Sequence, residues 1–302
     1  MRRVLDLPGA VPLLMLAATG LARALAFLPA VIDTDEGLYL LQARAWREGG
    51  WPFLAVWDMH PPGAPALFVL AFALFGEDLV AVRLLGVIAV ATTATLLVGI
   101  AQHLGAGRAA ALTAGFLYAG QSSLLTGLAT NTEILFAPFV AAALLIAVRA
   151  AGEGHDRPIR PGPLAAMGLL IGFALLIKQV VFFEGCFAFA VAVLPTLWQG
   201  RLSLRGLLGR AALYALACGS PTALLFGVYG LMGAADVLWD ALVLAPLRYQ
   251  GVPIDPPGVL WALTTPVLTL AAALILALFA SVPPRRCDRW ALLFGWVWFL
   301  VA

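Results

Sequence analysis

The sequence predicts an all-α polytopic membrane protein, and three observations support this class. Hydrophobic residues make up 63% of the chain and charged residues only 11%, whereas about a quarter of the residues of a soluble domain are charged. Several apolar runs reach the roughly 18–20 residues that a helix needs to cross a bilayer. These runs do not alternate apolar and polar residues, as the strands of a membrane β-barrel would. So few polar groups could not cover a soluble globule.

The apolar runs predict a bundle of about eight to nine transmembrane helices. The first run follows Arg2 and Arg3 and is longer than the apolar core of a signal peptide, so we expect it to stay in the mature chain. The runs 163–180 and 181–198 form two short crossings or one long helix, and one helix would invert the topology downstream. The expected crossings are 9–32, 79–103, 109–129, 134–150, 163–180, 181–198, 208–231, 257–281 and 290–302.

Basic residues mark alternate loops, which is typical of the cytoplasmic side of a membrane. With the N-terminus in the cytoplasm, every basic loop falls on the inside, provided that the short run 61–75 does not cross. We therefore expect 61–75 to form a juxtamembrane or re-entrant helix on the outer side. The basic loops contain Arg108, Arg149, Arg157, Arg160, Arg201, Arg205, Arg210, Arg285, Arg286 and Arg289.

The chain is then one transmembrane domain over residues 1–302 with two large outer segments, 33–78 and 232–258. The first outer segment contains "DEGLYLLQARAWREGG", whose apolar spacing predicts an amphipathic juxtamembrane helix that ends at Gly49. The last apolar run stops at Ala302 without a polar flank. We therefore expect the chain to be truncated at its C-terminus.

Acidic residues gather where the first crossing ends, at Asp35 and Glu36. Carboxylates at a helix start interact favourably with the helix dipole, which is one explanation of the pair. The other is a general base or a cation ligand held at the mouth of a cavity. Asp58 and His60 follow in "WDMHPPG", where a loop fixed by Pro-Pro is the simpler interpretation.

Further charged residues lie within or beside apolar runs, at Arg83, Glu133 and Lys178. Charges inside a spanning helix are costly and usually pair or face a wet cavity, although Arg83 and Lys178 could also extend to the membrane surface. Arg248 and Tyr249 lie in the last outer segment, where an arginine suits an anionic partner such as a lipid phosphate. Acids and cations on one membrane face suit a reaction in which an anionic group leaves and a hydroxyl is deprotonated.

These segments resemble the GT-C glycosyltransferases, and more narrowly bacterial members of glycosyltransferase family 39, the relatives of protein mannosyltransferases and aminoarabinose transferases. The resemblance rests on the Asp-Glu pair and the Pro-Pro-Gly in "DTDEGLYLLQARAWREGGWPFLAVWDMHPPGAP". It continues through "GLATNTEILFAPF", "GLLIGFALLIKQVVFFE" and "APLRYQG", from about residue 10 to residue 280.

The resemblance implies a polyprenyl-phosphate sugar as donor and a lipid, glycan or protein hydroxyl as acceptor. The site would lie on the outer face of the bacterial cytoplasmic membrane, among membrane lipids and with no nucleic acid partner. Asp35 would be the general base of an inverting displacement, and Glu36 would orient it or help bind a cation. The residues implied to contact the donor phosphate or the substrate, or to hold the site together, are Asp58, His60, Arg83, Glu133, Lys178, Arg248 and Tyr249.

One departure from the family concerns His60, because relatives often carry Lys before Pro-Pro. Lys is a cation at neutral pH, whereas His is mostly neutral at its ordinary pKa of about 6.5. Either a nearby phosphate raises the His60 pKa, or His60 contributes only a neutral hydrogen bond. A further hypothesis places Asp58 and His60 with Asp35 around a divalent cation; no other cofactor is expected.

Two other functions stay open at the level of the sequence. A transporter or flippase of a lipid-linked anion would also use outer cations and an intramembrane lysine, although the internal repeats typical of transporters are not evident. An inactive fragment of a GT-C enzyme would explain the abrupt end at Ala302.

Overall fold

The computed structural model describes residues 9–28, 31–124, 127–153 and 157–249. Within these ranges the chain is helical, and the isolated bridge between Pro52 and Val56 belongs to no strand. A 3₁₀ turn at Ala24–Phe27 and a π-helical turn at Asp240–Leu244 interrupt the α-helices. The α-helices are α1 (Ala10–Ala22), α2 (Thr34–Arg47), α3 (Gly63–Phe75), α4 (Leu79–His103), α5 (Arg108–Gln121), α6 (Thr132–Glu153), α7 (Pro161–Leu175), α8 (Val181–Trp198), α9 (Leu204–Leu231), α10 (Ala235–Trp239) and α11 (Ala245–Tyr249).

Four of these helices are long and apolar enough to cross a membrane, namely α4, the part of α6 up to Gly152, α8 and α9. Helices α1, α3 and α7 are apolar but shorter. With 13 residues, α3 extends roughly 20 Å at 1.5 Å per residue, less than the ~30 Å core of a bilayer. For the described residues, the prediction of an all-helical fold with helices able to span a membrane is confirmed. The total of eight to nine crossings stays a prediction, and the expected crossings 257–281 and 290–302 lie outside the described residues.

The segment 163–198 forms two helices rather than one. Helix α7 ends at Leu175 and α8 begins at Val181. The two helices lie side by side, since a Cβ atom built on Gly185 of α8 would come within 2.7 Å of Ile171 Cγ2 in α7. The Tyr214 hydroxyl of α9 donates a hydrogen bond of 2.9 Å to the Gly185 carbonyl and ties this hairpin to the next helix.

Helix α6 lies at the centre of the bundle. It contacts α4 on one side and both α7 and α8 on the other. Helix α4 in turn contacts α1 and α5, and α9 packs along α7. The main apolar core lies between these helices and includes Leu144, Leu164, Met167 and Ile171, each at most 1% exposed.

The two ends of the bundle differ in the charges that they carry: acidic residues gather at one end, beside a few cations such as Lys178, and arginines predominate at the other. At one end the start of α2, the loop before α3, the start of α6 and the turn between α7 and α8 come together, and they contribute Asp35, Asp58 and Glu133. At the other end the loop before α7 meets the start of α9, where Arg210 Nε donates to the Ile159 carbonyl at 3.3 Å. Here the described loops carry mainly arginines, the pattern that marks a cytoplasmic face. We call the first end the acidic end.

Candidate active site

The start of α2 places two adjacent carboxylates in opposite environments. The Asp33 side chain caps the helix by accepting a hydrogen bond of 2.9 Å from the Asp35 amide. Asp35 is exposed, whereas Glu36 is 0% exposed. Successive residues of a helix project about 100° apart because the helix has 3.6 residues per turn. One carboxylate therefore faces solvent and the other faces the bundle.

Glu36 forms a buried ion pair with Arg83 of α4. The Arg83 Nη2 and Glu36 Oε2 atoms are 2.6 Å apart, and both side chains are 0% exposed. Glu36 Oε1 also accepts a hydrogen bond of 2.7 Å from the Thr130 amide. Burial raises the pKa of Glu36, and the Thr130 amide and the Arg83 charge oppose that rise. Both residues are site candidates from the sequence, and the structure places them beneath the surface, where they join α2 to α4.

Arg23 extends this network, although it is not among the site residues predicted from the sequence. Its guanidinium is 0% exposed and donates to the carbonyls of Ser122, Gly127, Leu128 and Ala129 at 2.6–3.2 Å. Arg83 shares the Leu128 carbonyl, at 2.8 Å. The available signal was an arginine inside the apolar run 9–32, because a charge in such a run needs partners.

The Asp58 carboxylate holds His60 from within the loop before α3. Asp58 is 5% exposed, and its Oδ1 accepts a hydrogen bond of 2.7 Å from the Met59 amide. His60 Nδ1 lies 3.1 and 3.2 Å from the two carboxylate oxygens. The hydrogen bond to Asp58 raises the pKa of His60 and burial opposes that rise; the charges of Asp58 and Asp35 raise it further and Lys178 lowers it.

Lys178 and Glu133 form an ion pair between the turn after α7 and the first turn of α6. The lysine is 27% exposed and the glutamate 58%. The same turn receives the start of α3, because the Gly63 amide donates a hydrogen bond of 2.7 Å to the Leu176 carbonyl. The Pro-Pro-Gly segment therefore fixes His60 and the Lys178 turn relative to each other.

Tyr39 lies at the centre of these groups, and it is also not among the site residues predicted from the sequence. Its side chain is 1% exposed, and its ring packs edge-on against His60 with the centroids 5.9 Å apart. Burial raises its pKa, and the charges of Asp35, Asp58 and Glu133 raise it further. Tyr39 follows Asp35 by four positions, which is the helical spacing that places two residues on one face.

The last outer segment contacts the same region. The Gln179 side chain donates a hydrogen bond of 2.9 Å to the Leu242 carbonyl in the π-helical turn. Arg248 Nη2 lies 2.6 Å from Asp240 Oδ1, in a pair that is well exposed. The Tyr249 side chain lies outside the described part of the chain. Arg248 is thus brought to the acidic end, with a carboxylate as its present partner.

A cavity of about 420 Å³ lies to one side of these groups. It opens between the 3₁₀ turn and the start of α4, and apolar side chains line it together with Asp78 and Arg83. Asp35, His60 and Lys178 are not among its lining residues. The exposed polar groups therefore form a surface site rather than the wall of this cavity.

The described residues contain no cluster of three His, Cys, Asp or Glu side chains placed to hold a metal ion. The divalent cation stays a hypothesis. The arrangement places the exposed carboxylate of Asp35 near an imidazole that the Asp58 carboxylate orients. It also contains a lysine whose ion pair with Glu133 is partly exposed. Such a set can accept a proton and can balance the charge of an anionic group.

Fold and site together define a multi-pass helical membrane protein with a polar, charge-bearing site at one end of the bundle. A model of the dolichyl-phosphate-mannose-protein mannosyltransferase family matches residues 59–225, more than half of the 302-residue chain. The chain belongs to this family, a family of glycosyltransferases, and the family relationship inferred from the sequence is confirmed. The match includes His60, Arg83 and Lys178 and begins after Asp35. Neither the curated proteins nor the solved structures contain a significant match.

Proposed function

We propose that this chain transfers a sugar from a polyprenyl-phosphate donor to a hydroxyl acceptor on the outer face of the cytoplasmic membrane. Its family supports the transfer of a sugar at a membrane. The family description, which names dolichyl-phosphate-mannose, supports the donor class. The outer face and the identity of the base are the new parts of the proposal. The observation that supports the base is the position of Asp35, which is exposed at the same end of the bundle as His60 and Lys178.

In the proposed reaction Asp35 accepts the proton of the acceptor hydroxyl. The acceptor oxygen then forms a bond to the anomeric carbon of the sugar on the face opposite the phosphate. The bond between that carbon and the phosphate oxygen breaks, its electron pair leaves with the polyprenyl phosphate, and the anomeric configuration is inverted. An exposed carboxylate suits the first step, because the base must reach a hydroxyl that arrives from outside.

Cations at the acidic end would balance the negative charge that grows on the leaving phosphate. Lys178, His60 and Arg248 are the candidates, since each has part of its side chain exposed at the acidic end. Glu36 and Arg83 have a different role in the proposal. Their buried ion pair holds the start of α2, and thus Asp35, in place against α4.

A transfer assay separates this proposal from the alternatives. Membranes that contain the chain are supplied with a panel of radiolabelled polyprenyl-phosphate sugars, mannose included, and with membrane extract as acceptor. We expect label on the acceptor and release of polyprenyl phosphate, and neither product in membranes without the chain. Movement of labelled donor across vesicles without covalent transfer would support a transporter, and no activity of either kind would support an inactive chain.

A further inference from the structure

The Asp58–His60 pair has a geometric feature that the family relationship does not supply. The side chains lie in one short loop, with the carboxylate 6% and the imidazole 20% exposed. Both Asp58 oxygens lie within 3.2 Å of His60 Nδ1. An ionised carboxylate only accepts hydrogen bonds, so Nδ1 carries a hydrogen in this arrangement.

This hydrogen bond fixes what the other ring nitrogen can do. In neutral histidine one nitrogen carries the hydrogen and the other carries a lone pair. With the hydrogen held at Nδ1, Nε2 of the neutral ring is an acceptor, which cannot bind the oxygen of a phosphate. Only the imidazolium form offers an N–H donor at Nε2. A second proton therefore converts His60 from a group that repels phosphate oxygens to one that binds them.

The charges around His60 make its second proton important for the binding of a phosphate. Lys178 is paired with Glu133 on the neighbouring turn, and Arg248 with Asp240. From α2, Asp35 and the buried Tyr39 face His60. When His60 loses its second proton, the pair with Asp58 changes from neutral to negative, and a phosphate approaches a site with one more negative charge.

We propose, building on the proposed function, that His60 binds the donor phosphate only as the imidazolium and that Asp58 is the residue that positions it. Donor affinity is then linked to pH. The phosphodiester of a polyprenyl-phosphate sugar is ionised throughout the neutral range. A change of donor affinity with pH must therefore come from a proton on the protein. A lysine at this position would bind phosphate without such a dependence, because its pKa lies near 10.4.

The direction of the effect follows from the hydrogen bond to Asp58. It raises the pKa of His60 above the ordinary 6.5. The imidazolium is therefore the main form below pH 6.5 and is lost as the pH rises through the raised pKa. We expect the donor KM to be lowest in mildly acidic buffer and to rise with increasing pH. Because a hydrogen bond to a charged group contributes about 1.5–3 kcal/mol, loss of the imidazolium is expected to raise KM by roughly ten-fold or more.

The test measures donor KM and kcat separately between about pH 6 and pH 9 for the wild type, His60→Lys, His60→Gln and Asp58→Asn. We expect KM to rise with pH in the wild type, to stay low and flat in His60→Lys, and to stay high and flat in His60→Gln. In Asp58→Asn the rise is expected to begin at lower pH, because the hydrogen bond that stabilises the imidazolium is weakened.

Several outcomes would overturn the inference while leaving the proposed function intact. A wild-type KM that does not change with pH would show that no protonation of His60 controls donor binding. A pH-dependent KM that persists in His60→Gln would show that another group senses the pH. An Asp58→Asn profile identical to the wild type would remove the positioning role of Asp58. Absence of transfer from any polyprenyl-phosphate sugar at any pH would instead reject the proposed function itself.

Discussion

At the scale of single residues, the neighbours Asp35 and Glu36 have different roles. Asp35 is the candidate base, and Glu36 belongs to a buried ion pair that supports the structure. Asp35 is exposed at the helix start, whereas Glu36 and Arg83 are both fully buried. Taking two charges out of water is costly, and the cost is recovered only when they face each other with good hydrogen bonds. The pair therefore makes the position of α2 depend on both partners.

Replacing Glu36 tests this dependence. In Glu36→Gln the buried Arg83 loses the negative charge of its Glu36 partner, and breaking a buried pair typically costs about 3–5 kcal/mol. We expect a loss of that order in the free energy of unfolding, measured by denaturant titration in detergent micelles. Glu48→Gln is the matched control, because Glu48 is exposed at the end of the same helix. Equal stability of the two variants would contradict the structural role.

Two features of the residue scale could be predicted from the sequence and two could not. The sequence alone shows the acid pair at the end of the first apolar run and the spacing of Asp58 and His60. Which of two adjacent carboxylates is buried depends on the rotational phase of α2, and a stretch with charges on several faces does not fix that phase. The role of Arg23 could not be predicted because its partners are backbone carbonyls about a hundred residues away. Every residue has a backbone carbonyl, so the sequence does not indicate which ones bind Arg23.

At the scale of elements, the docking of α3 on the turn after α7 organises the site. The Gly63 amide bonds to the Leu176 carbonyl. A Cβ atom at Gly63 would lie 2.7 Å from the Leu176 carbonyl carbon and 2.8 Å from Ile177 Cγ1. The glycine is needed for this close approach, which brings His60 near Lys178.

The variant Gly63→Ala is expected to separate the two elements. The added methyl group must displace the Leu176–Lys178 turn, so transfer activity is expected to fall at least ten-fold while the helical circular dichroism signal is retained. Gly107→Ala serves as control, since Gly107 has extended backbone geometry and nothing within 4 Å of an added Cβ atom. Full activity in Gly63→Ala would show that this contact does not position the site.

The elements were predicted best where an apolar run has clear polar ends. The run at 79–103 coincides with α4, whereas the expected crossing 109–129 overlaps the 14-residue helix α5, which ends at Gln121. The hairpin at 163–198 was ambiguous because no Pro or Gly marks its turn. Between Leu175 and Val181, only Lys178 and Gln179 interrupt the apolar residues. The contact between Pro-Pro-Gly and Leu176 joins residues far apart in sequence, and local patterns do not report such contacts.

At the scale of the whole molecule, the distribution of charge between the two ends predicts the orientation in the membrane. The loops around Arg108, Arg160 and Arg205 lie opposite the end that holds Asp35, Asp58 and Glu133. Positive loops are retained in the cytoplasm during insertion. The acidic end is therefore expected on the outside, where a donor carried by a lipid would meet its acceptor.

Site-directed labelling tests this orientation. In a chain whose native cysteines are replaced by alanine, Glu48→Cys and Arg205→Cys place one thiol at each end, both at exposed positions. A membrane-impermeant maleimide applied to intact cells is expected to label the first variant and to reach the second only after permeabilisation. The reverse pattern would place the acidic end in the cytoplasm and would contradict an outer site.

The most direct test of the central claim compares sugar transfer by the wild type and by Asp35→Asn in reconstituted membranes. The amide keeps the shape of the side chain but cannot accept the proton of the acceptor. Removal of a positioned base is expected to reduce kcat by about 10²–10⁴-fold, with unfolding and donor KM close to the wild type and with Glu48→Gln fully active. Transfer by Asp35→Asn at the wild-type rate would contradict the role of Asp35 as the base.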